Sequence, residues 1–188
     1  MTYINLENSL PGIRSLVQYR PETGRHLYAL VRVLLTGAST LSKGERELIA
    51  AFVSSRNGCT FCTESHASAA RILLQNQSEV VDEVLEKGSS ETLGPKINAL
   101  LQIAGKVQVS GKEVRPEDID KAKSCGATDL EIHDAVLISA VFCLFNRYVD
   151  GLGTSLPEDS AAFEEMGHRM ISNEYKFHPT QQPKPWHT

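Results

Sequence analysis

A basic excess, a long apolar run, a signal-type N-terminus and abundant cysteine are all missing from this chain of 188 residues. Lys and Arg number 19 against 23 Asp and Glu, a formal charge of −4 with the signs mixed along the sequence. No global positive field is available to attract nucleic acid. The longest apolar run, Ala135 to Phe145 interrupted only by Ser139, is too short to span a bilayer, so no membrane association is expected. Met1-Thr2-Tyr3-Ile4-Asn5 has neither the basic start nor the apolar stretch of a secretory signal, and a cytoplasmic location is expected. Four cysteines without such a signal argue for a reducing compartment. There a close pair serves redox or metal chemistry more often than a structural disulfide. With 41% apolar residues the chain has enough material for one sizeable core, which excludes a disordered or collagen-like polymer.

What is present reads as helix nearly throughout. Leu27, Leu30, Val31, Leu34 and Leu35 recur at helical spacing and Gly37 follows as a stop. Ser42-Lys43-Gly44-Glu45 is a capping box heading a helix with Leu48, Ile49, Phe52 and Val53 on one face, ended by Asn57-Gly58. A further helix is predicted from about Cys59 to Asn76, then a short one capped by Ser78 and closed by Gly88. Pro95 opens a segment with Ile97, Leu100, Leu101 and Ala104, and Arg115-Pro116 opens another that ends at Gly126. Thr128 and Glu131 form a second capping box before a long apolar helix from Ile132 to about Val149, and Pro157 to Ile171 makes the last. No run alternates with period two for long enough to form a strand. The prediction is an all-α domain over residues 1–173 and an extended tail over 174–188. The two capping boxes hint at a duplicated helical hairpin, which would align Glu47, Cys59, Cys62 and His66 with His133, Phe145, Tyr148 and Leu152.

One constellation carries chemistry. Cys59-Thr60-Phe61-Cys62 is a C-x-x-C at a predicted helix start, and His66 follows four residues after Cys62 on the same face. Free N–H groups and partial positive charge at a helix N-terminus favour thiolate over thiol, and an adjacent imidazole can take and return the proton. Glu47, on the preceding helix, can approach across the Asn57-Gly58 turn and orient His66. Zinc held by Cys59, Cys62, His66 and Glu47 is an alternative, although a second C-x-x-C or Cys/His pair is missing. Two buried core cysteines are another, opposed by the polar Thr60, Thr63, Glu64 and Ser65 around them. Phe142, Phe145 and Tyr148 at helical spacing suggest core or a subunit interface, while Cys125 and Cys143 read as structural. His26, His133, His168, His178 and His187 show no partner pattern, and the tail histidines are expected to be solvated.

Glu47, eleven residues, Cys59-x-x-Cys62, three residues, His66 resembles the signature of the alkyl hydroperoxide reductase D-like (AhpD-like) proteins. These belong to the carboxymuconolactone decarboxylase superfamily, and the peroxidase-related branch is the most similar. The resemblance covers Leu41 to Leu74 and, in Phe145-Asn146-Arg147 with Leu152-Gly153, the second half. It implies two pseudo-repeated helical halves, a homo-oligomer (dimer, trimer or hexamer) and thiol-dependent reduction of peroxides by an external dithiol. It implies no metal, haem or flavin. One departure stands out, since the first-described members carry a second His between the cysteines where this chain has Phe61.

The expected cycle has a thiolate attack the peroxide O–O bond to give a sulfenic acid, which the second thiol converts to a Cys59–Cys62 disulfide. Dithiol exchange then restores both thiols. Helix-terminus electrostatics favour Cys59 as the attacking sulfur. The resemblance and the placement of His66 favour Cys62, with Cys59 resolving and Glu47 and His66 relaying the proton. Lactone decarboxylation on the same fold, a non-enzymatic dithiol sensor and a zinc-stabilised module are the competing functions.

Overall fold

A computed structural model describes residues 2–157, 159 and 161–179. Among these, nine α-helices and no strand are formed, as the periodicity predicts. They are α1 (Ile13–Tyr19), α2 (Pro21–Thr36), α3 (Lys43–Arg56), α4 (Thr60–Leu74), α5 (Glu79–Lys87), α6 (Gly94–Val109), α7 (Pro116–Ser124), α8 (Asp129–Gly151) and α9 (Ala161–Asn173).

Both capping boxes form. Ser42 Oγ accepts from the Glu45 N–H at 3.2 Å while the Glu45 carboxylate takes the Ser42 N–H at 2.6 Å. Thr128 and Glu131 repeat the exchange at the head of α8. Ser78 stands at the N-cap of α5, but its side chain makes no capping bond, against expectation. α1 has no counterpart in the predicted elements, because seven residues are too few to show periodicity. The last helix starts at Ala161 rather than Pro157. The predicted duplication also differs locally, since α8 runs unbroken through Phe145 and Tyr148 whereas α3 stops and α4 begins at the aligned positions.

The core has two parts. The larger lies among α3, α6 and α8, with Leu48, Ile49, Leu100, Leu101, Ile138 and Phe142 at its centre. A smaller one gathers Leu6, Leu16, Cys59, Phe61, Cys62, Val149 and Met166. α9 reaches this second cluster by lying close on α4. A Cβ on Gly167 would stand 2.4 Å from Ser68 Oγ and 3.0 Å from the Ala69 nitrogen, so only glycine permits that approach. α8 is long and apolar enough by composition to cross a membrane, yet here it is a core helix packed on α3 and α6. Phe142 and Phe145 are buried within this one chain, which makes them core and cavity residues rather than a subunit interface.

Residues 174–179 do not form a separate tail. Glu174 and Tyr175 adopt left-handed backbone (φ 45° and 56°) and turn the chain back after α9. Tyr175 is buried, Phe177 packs on Tyr28 at 5.5 Å, and the His178 carbonyl accepts from Gln18 at 2.9 Å. The rest of the predicted tail, Thr180 to Thr188 with Trp186 and His187, lies outside the described residues.

Candidate active site

The α3–α4 hairpin, closed by the Asn57-Gly58 turn, brings the four predicted residues to one region. Cys59 is the N-cap residue of α4 and Cys62 lies in its first turn. Both are free thiols. Cys59 is fully enclosed, while Cys62 is 4% exposed and lines a cavity of about 280 Å³ between α1, α4, α8, α9 and the segment after α9. Cys59 is absent from the lining.

His66, one turn beyond Cys62, also faces the cavity. Its Nδ1 meets Glu47 Oε2 at 2.6 Å, and its ring sits edge-on to Phe142 at 4.5 Å. Glu47 is 2% exposed, so its carboxylate needs partners that replace water. The second partner is one that sequence reasoning missed, because Tyr175 donates its phenol to Glu47 Oε1 at 2.5 Å and stacks parallel to His66 at 6.3 Å. Burial, with the Glu47 charge beside it, holds the Tyr175 phenol well above its ordinary value, so it remains a donor. No sequence signal marks Tyr175, since it lies 128 residues from Glu47 in a segment without periodicity.

The thiol pair departs from the expectation of a readily ionised cysteine. Contact with the Cys59 sulfur, followed by burial, pushes the Cys62 thiol far up. A hydrogen bond from Asn146 works the other way. Asn146 is fixed in turn by a bond to Ser54 Oγ at 3.0 Å and one from Asn57 Nδ2 at 2.8 Å. Cys62 therefore keeps its proton as a thiol, and the helix terminus does not overcome the neighbouring sulfur and the apolar wall. Nor does His66 hydrogen-bond Cys62 directly. Its Nδ1 is taken by Glu47, which leaves Nε2 as the atom that can carry a proton. Asn146 was visible only as part of the Phe145-Asn146-Arg147 resemblance and not as a site residue.

Among the described residues no three His, Cys, Asp or Glu side chains are grouped to hold a metal ion, so the zinc alternative finds no support in the arrangement. Cys143 lies outside the cavity and accepts from Asn57 Nδ2 at 3.5 Å, and Cys125 packs against the larger core.

Residues 21–106 match the model of the carboxymuconolactone decarboxylase family, a span that holds Glu47, Cys59, Cys62 and His66. Among solved structures, the chain is similar to an uncharacterized peroxidase-related protein from Ralstonia eutropha JMP134, described as an alkylhydroperoxidase AhpD core. The two are 29% identical with a TM-score of 0.74, over 84% of this chain and 81% of that one. A second uncharacterized peroxidase-related protein, from Silicibacter sp. TM1040, is 25% identical with a TM-score of 0.70, covering 82% and 78% of the two chains. A protein of unknown function from Agrobacterium tumefaciens, described as a putative antioxidant defence protein AhpD, shares the fold at 19% identity. Its TM-score is 0.66, over 85% of this chain and all of that one. No curated protein matches the chain.

Proposed function

We propose that this chain, AhpD-like in fold and matched to the carboxymuconolactone decarboxylase family over residues 21–106, is a thiol peroxidase that reduces alkyl hydroperoxides through Cys62 and Cys59. The observation that carries this reading is the asymmetry of the pair, with one sulfur lining an apolar cavity beside a braced imidazole and the other enclosed behind it.

Cys62 is the attacking sulfur. Its proton leaves through the bound peroxide to His66 Nε2, while Glu47 and Tyr175 hold the ring in place and Glu47 stabilises the imidazolium. The thiolate takes the distal peroxide oxygen, the O–O bond breaks, and the alkoxide leaves as alcohol with the proton returned by His66. Cys62 becomes a sulfenic acid. The Cys59 thiol attacks that sulfur, water leaves, and a Cys59–Cys62 disulfide forms, the peroxide having been reduced by two electrons. An external dithiol restores the pair by exchange and becomes a disulfide itself. With this reading goes the expectation of a cytoplasmic homo-oligomer, to whose assembly the exposed Leu30 and Val33 on α2 offer apolar surface.

Thiol counting and intact mass before and after one equivalent of cumene hydroperoxide test the reading. Loss of two thiols, mapped to Cys59 and Cys62 and abolished in Cys62→Ser, is expected, with sulfenic acid trapped on Cys62 in Cys59→Ser. His66→Ala slows consumption near neutral pH. Thiols that all stay reduced overturn the proposal, and oxidation that no dithiol reverses favours the sensor function instead.

A further inference from the structure

The cavity that exposes Cys62 is apolar over most of its wall, with Ile13, Val17, Val31 and Phe145 among its residues, but its charge is one-sided. Arg14 of α1, Arg169 of α9 and Lys176 line it, and no Asp or Glu does so among the described residues. This is notable in a chain of net charge −4. Elsewhere the partly buried cations have partners. Arg46 donates to the Leu34 and Gly37 carbonyls, Lys96 meets Glu131 at 2.8 Å, and Lys106 meets Asp118 at 2.6 Å. Arg14 and Arg169 form no hydrogen bond or ion pair through their guanidinium groups among the described residues, although they lie near enough to repel each other. Burial first, then the Arg169 charge, pulls Arg14 below its ordinary value, with Tyr28 and Glu165 offsetting part of the effect. Two half-buried guanidinium groups that line one cavity, with no carboxylate hydrogen-bonded to either among the described residues, are costly unless an anion joins them.

We infer that Arg14 and Arg169 bind the carboxylate of a substrate whose alkyl chain fills the cavity toward Cys62, so that the hydroperoxides taken are those of medium-chain carboxylic acids. This deepens the peroxidase reading and rests on it. At ~30 Å³ per non-hydrogen group, the volume share of a liquid-water molecule, the cavity holds roughly nine such groups. An eight-carbon acid, with ten non-hydrogen atoms, is close to that size. The guanidinium groups supply fork-shaped donors matched to a carboxylate, and the apolar wall supplies affinity for the chain without regard to sequence along it.

The test uses sodium octanoate and 1-octanol as probes, titrated calorimetrically into the full chain. Neither contains an O–O bond, so the result is independent of peroxide turnover. Octanoate is expected to bind about tenfold tighter than octanol, the discrimination of one charge-assisted hydrogen-bonded contact. In Arg14→Gln/Arg169→Gln that preference disappears while octanol binding is retained. On the wild-type protein, raising salt from about 20 mM to about 500 mM weakens octanoate several-fold and leaves octanol unchanged, which keeps the proposal falsifiable if the double variant fails to fold. Equal affinity for the two probes, a salt-insensitive octanoate affinity, or a preference that survives the double substitution overturns the inference. Absence of turnover with an intact octanoate preference would instead count against the peroxidase reading alone.

Discussion

Tyr175→Phe removes one oxygen from the candidate site and nothing else. In the wild-type protein that oxygen donates to a carboxylate that is itself buried, at 2.5 Å, and Glu47 Oε1 has no water to turn to when the donor is gone. Hydrogen bonds to charged groups contribute about 1.5–3 kcal/mol, so a loss of about 2 kcal/mol is expected at pH 7. In a domain of this size that lowers Tm by about 4–8 °C. The pH dependence makes the prediction specific. Burial and the Glu47 charge hold the folded phenol well above its ordinary value of 10, so the folded state keeps the proton where the unfolded chain releases it. The contribution is fully present below pH 10 and falls above it by about 1.4 kcal/mol per pH unit. The variant has no such proton, and its deficit relative to wild type narrows to less than about 1 kcal/mol at pH 11. Urea unfolding of both proteins at pH 7, 10 and 11 measures the gap. A gap that is absent at pH 7, or constant from pH 7 to 11, refutes the assignment of a neutral, donating phenol to Tyr175.

Three further outcomes follow from the same geometry. Cys59→Ser removes the foremost cause of the raised Cys62 thiol, so alkylation of Cys62 by iodoacetamide at pH 7.5 should become faster, tenfold for each unit recovered. An unchanged or slower rate would show that burial alone holds the proton. Burial pushes the Glu131 carboxyl up, but Lys96, the Thr128 N–H and Thr40 outweigh it and bring it to about 2. It therefore contributes about 3 kcal/mol that is present above pH 5 and lost as pH falls toward 2, and acid titration of Glu131→Gln should show a correspondingly flatter stability profile. Gly12 sits at φ 55° with a Cβ position 2.2 Å from the Phe61 ring, so Gly12→Ala should cost about 1–3 kcal/mol in thermal unfolding by displacing that ring.

The grouping of the four candidate residues was legible in the sequence because it is local. A capping box, a two-residue turn and helical spacing place Glu47, Cys59, Cys62 and His66 within reach of one another, and three of the four lie on a single hairpin arm. The thiol electrostatics were not legible. Spacing locates Cys62 at a positive helix end, but the direction is reversed by the Cys59 sulfur, whose contact spacing alone does not show, and by burial that depends on Leu6, Leu16 and Val149 arriving from distant segments. Tyr175 and Arg14 escaped for a related reason. α1 is short, and the segment after α9 is irregular, so neither shows a period that would place its side chains.

That division has a functional counterpart. The thiols, the imidazole and its carboxylate all fall inside the span matched to the family, whereas Arg14, Asn146, Arg169 and Tyr175 fall outside it. Two left-handed residues in succession, Glu174 and Tyr175, hold the chain in its return toward Glu47, and a non-glycine residue adopts that conformation at a cost of about 1–3 kcal/mol. The Tyr175–Glu47 bond and the Lys43–Glu174 pair at 3.0 Å are what hold the turn against that cost. The segment that braces the imidazole thus also closes one wall of the cavity. On the proposed function, a change of substrate range would come from α1 and α9 with Cys59 and Cys62 untouched, and loss of the Tyr175 anchor would disturb His66 and the cavity together.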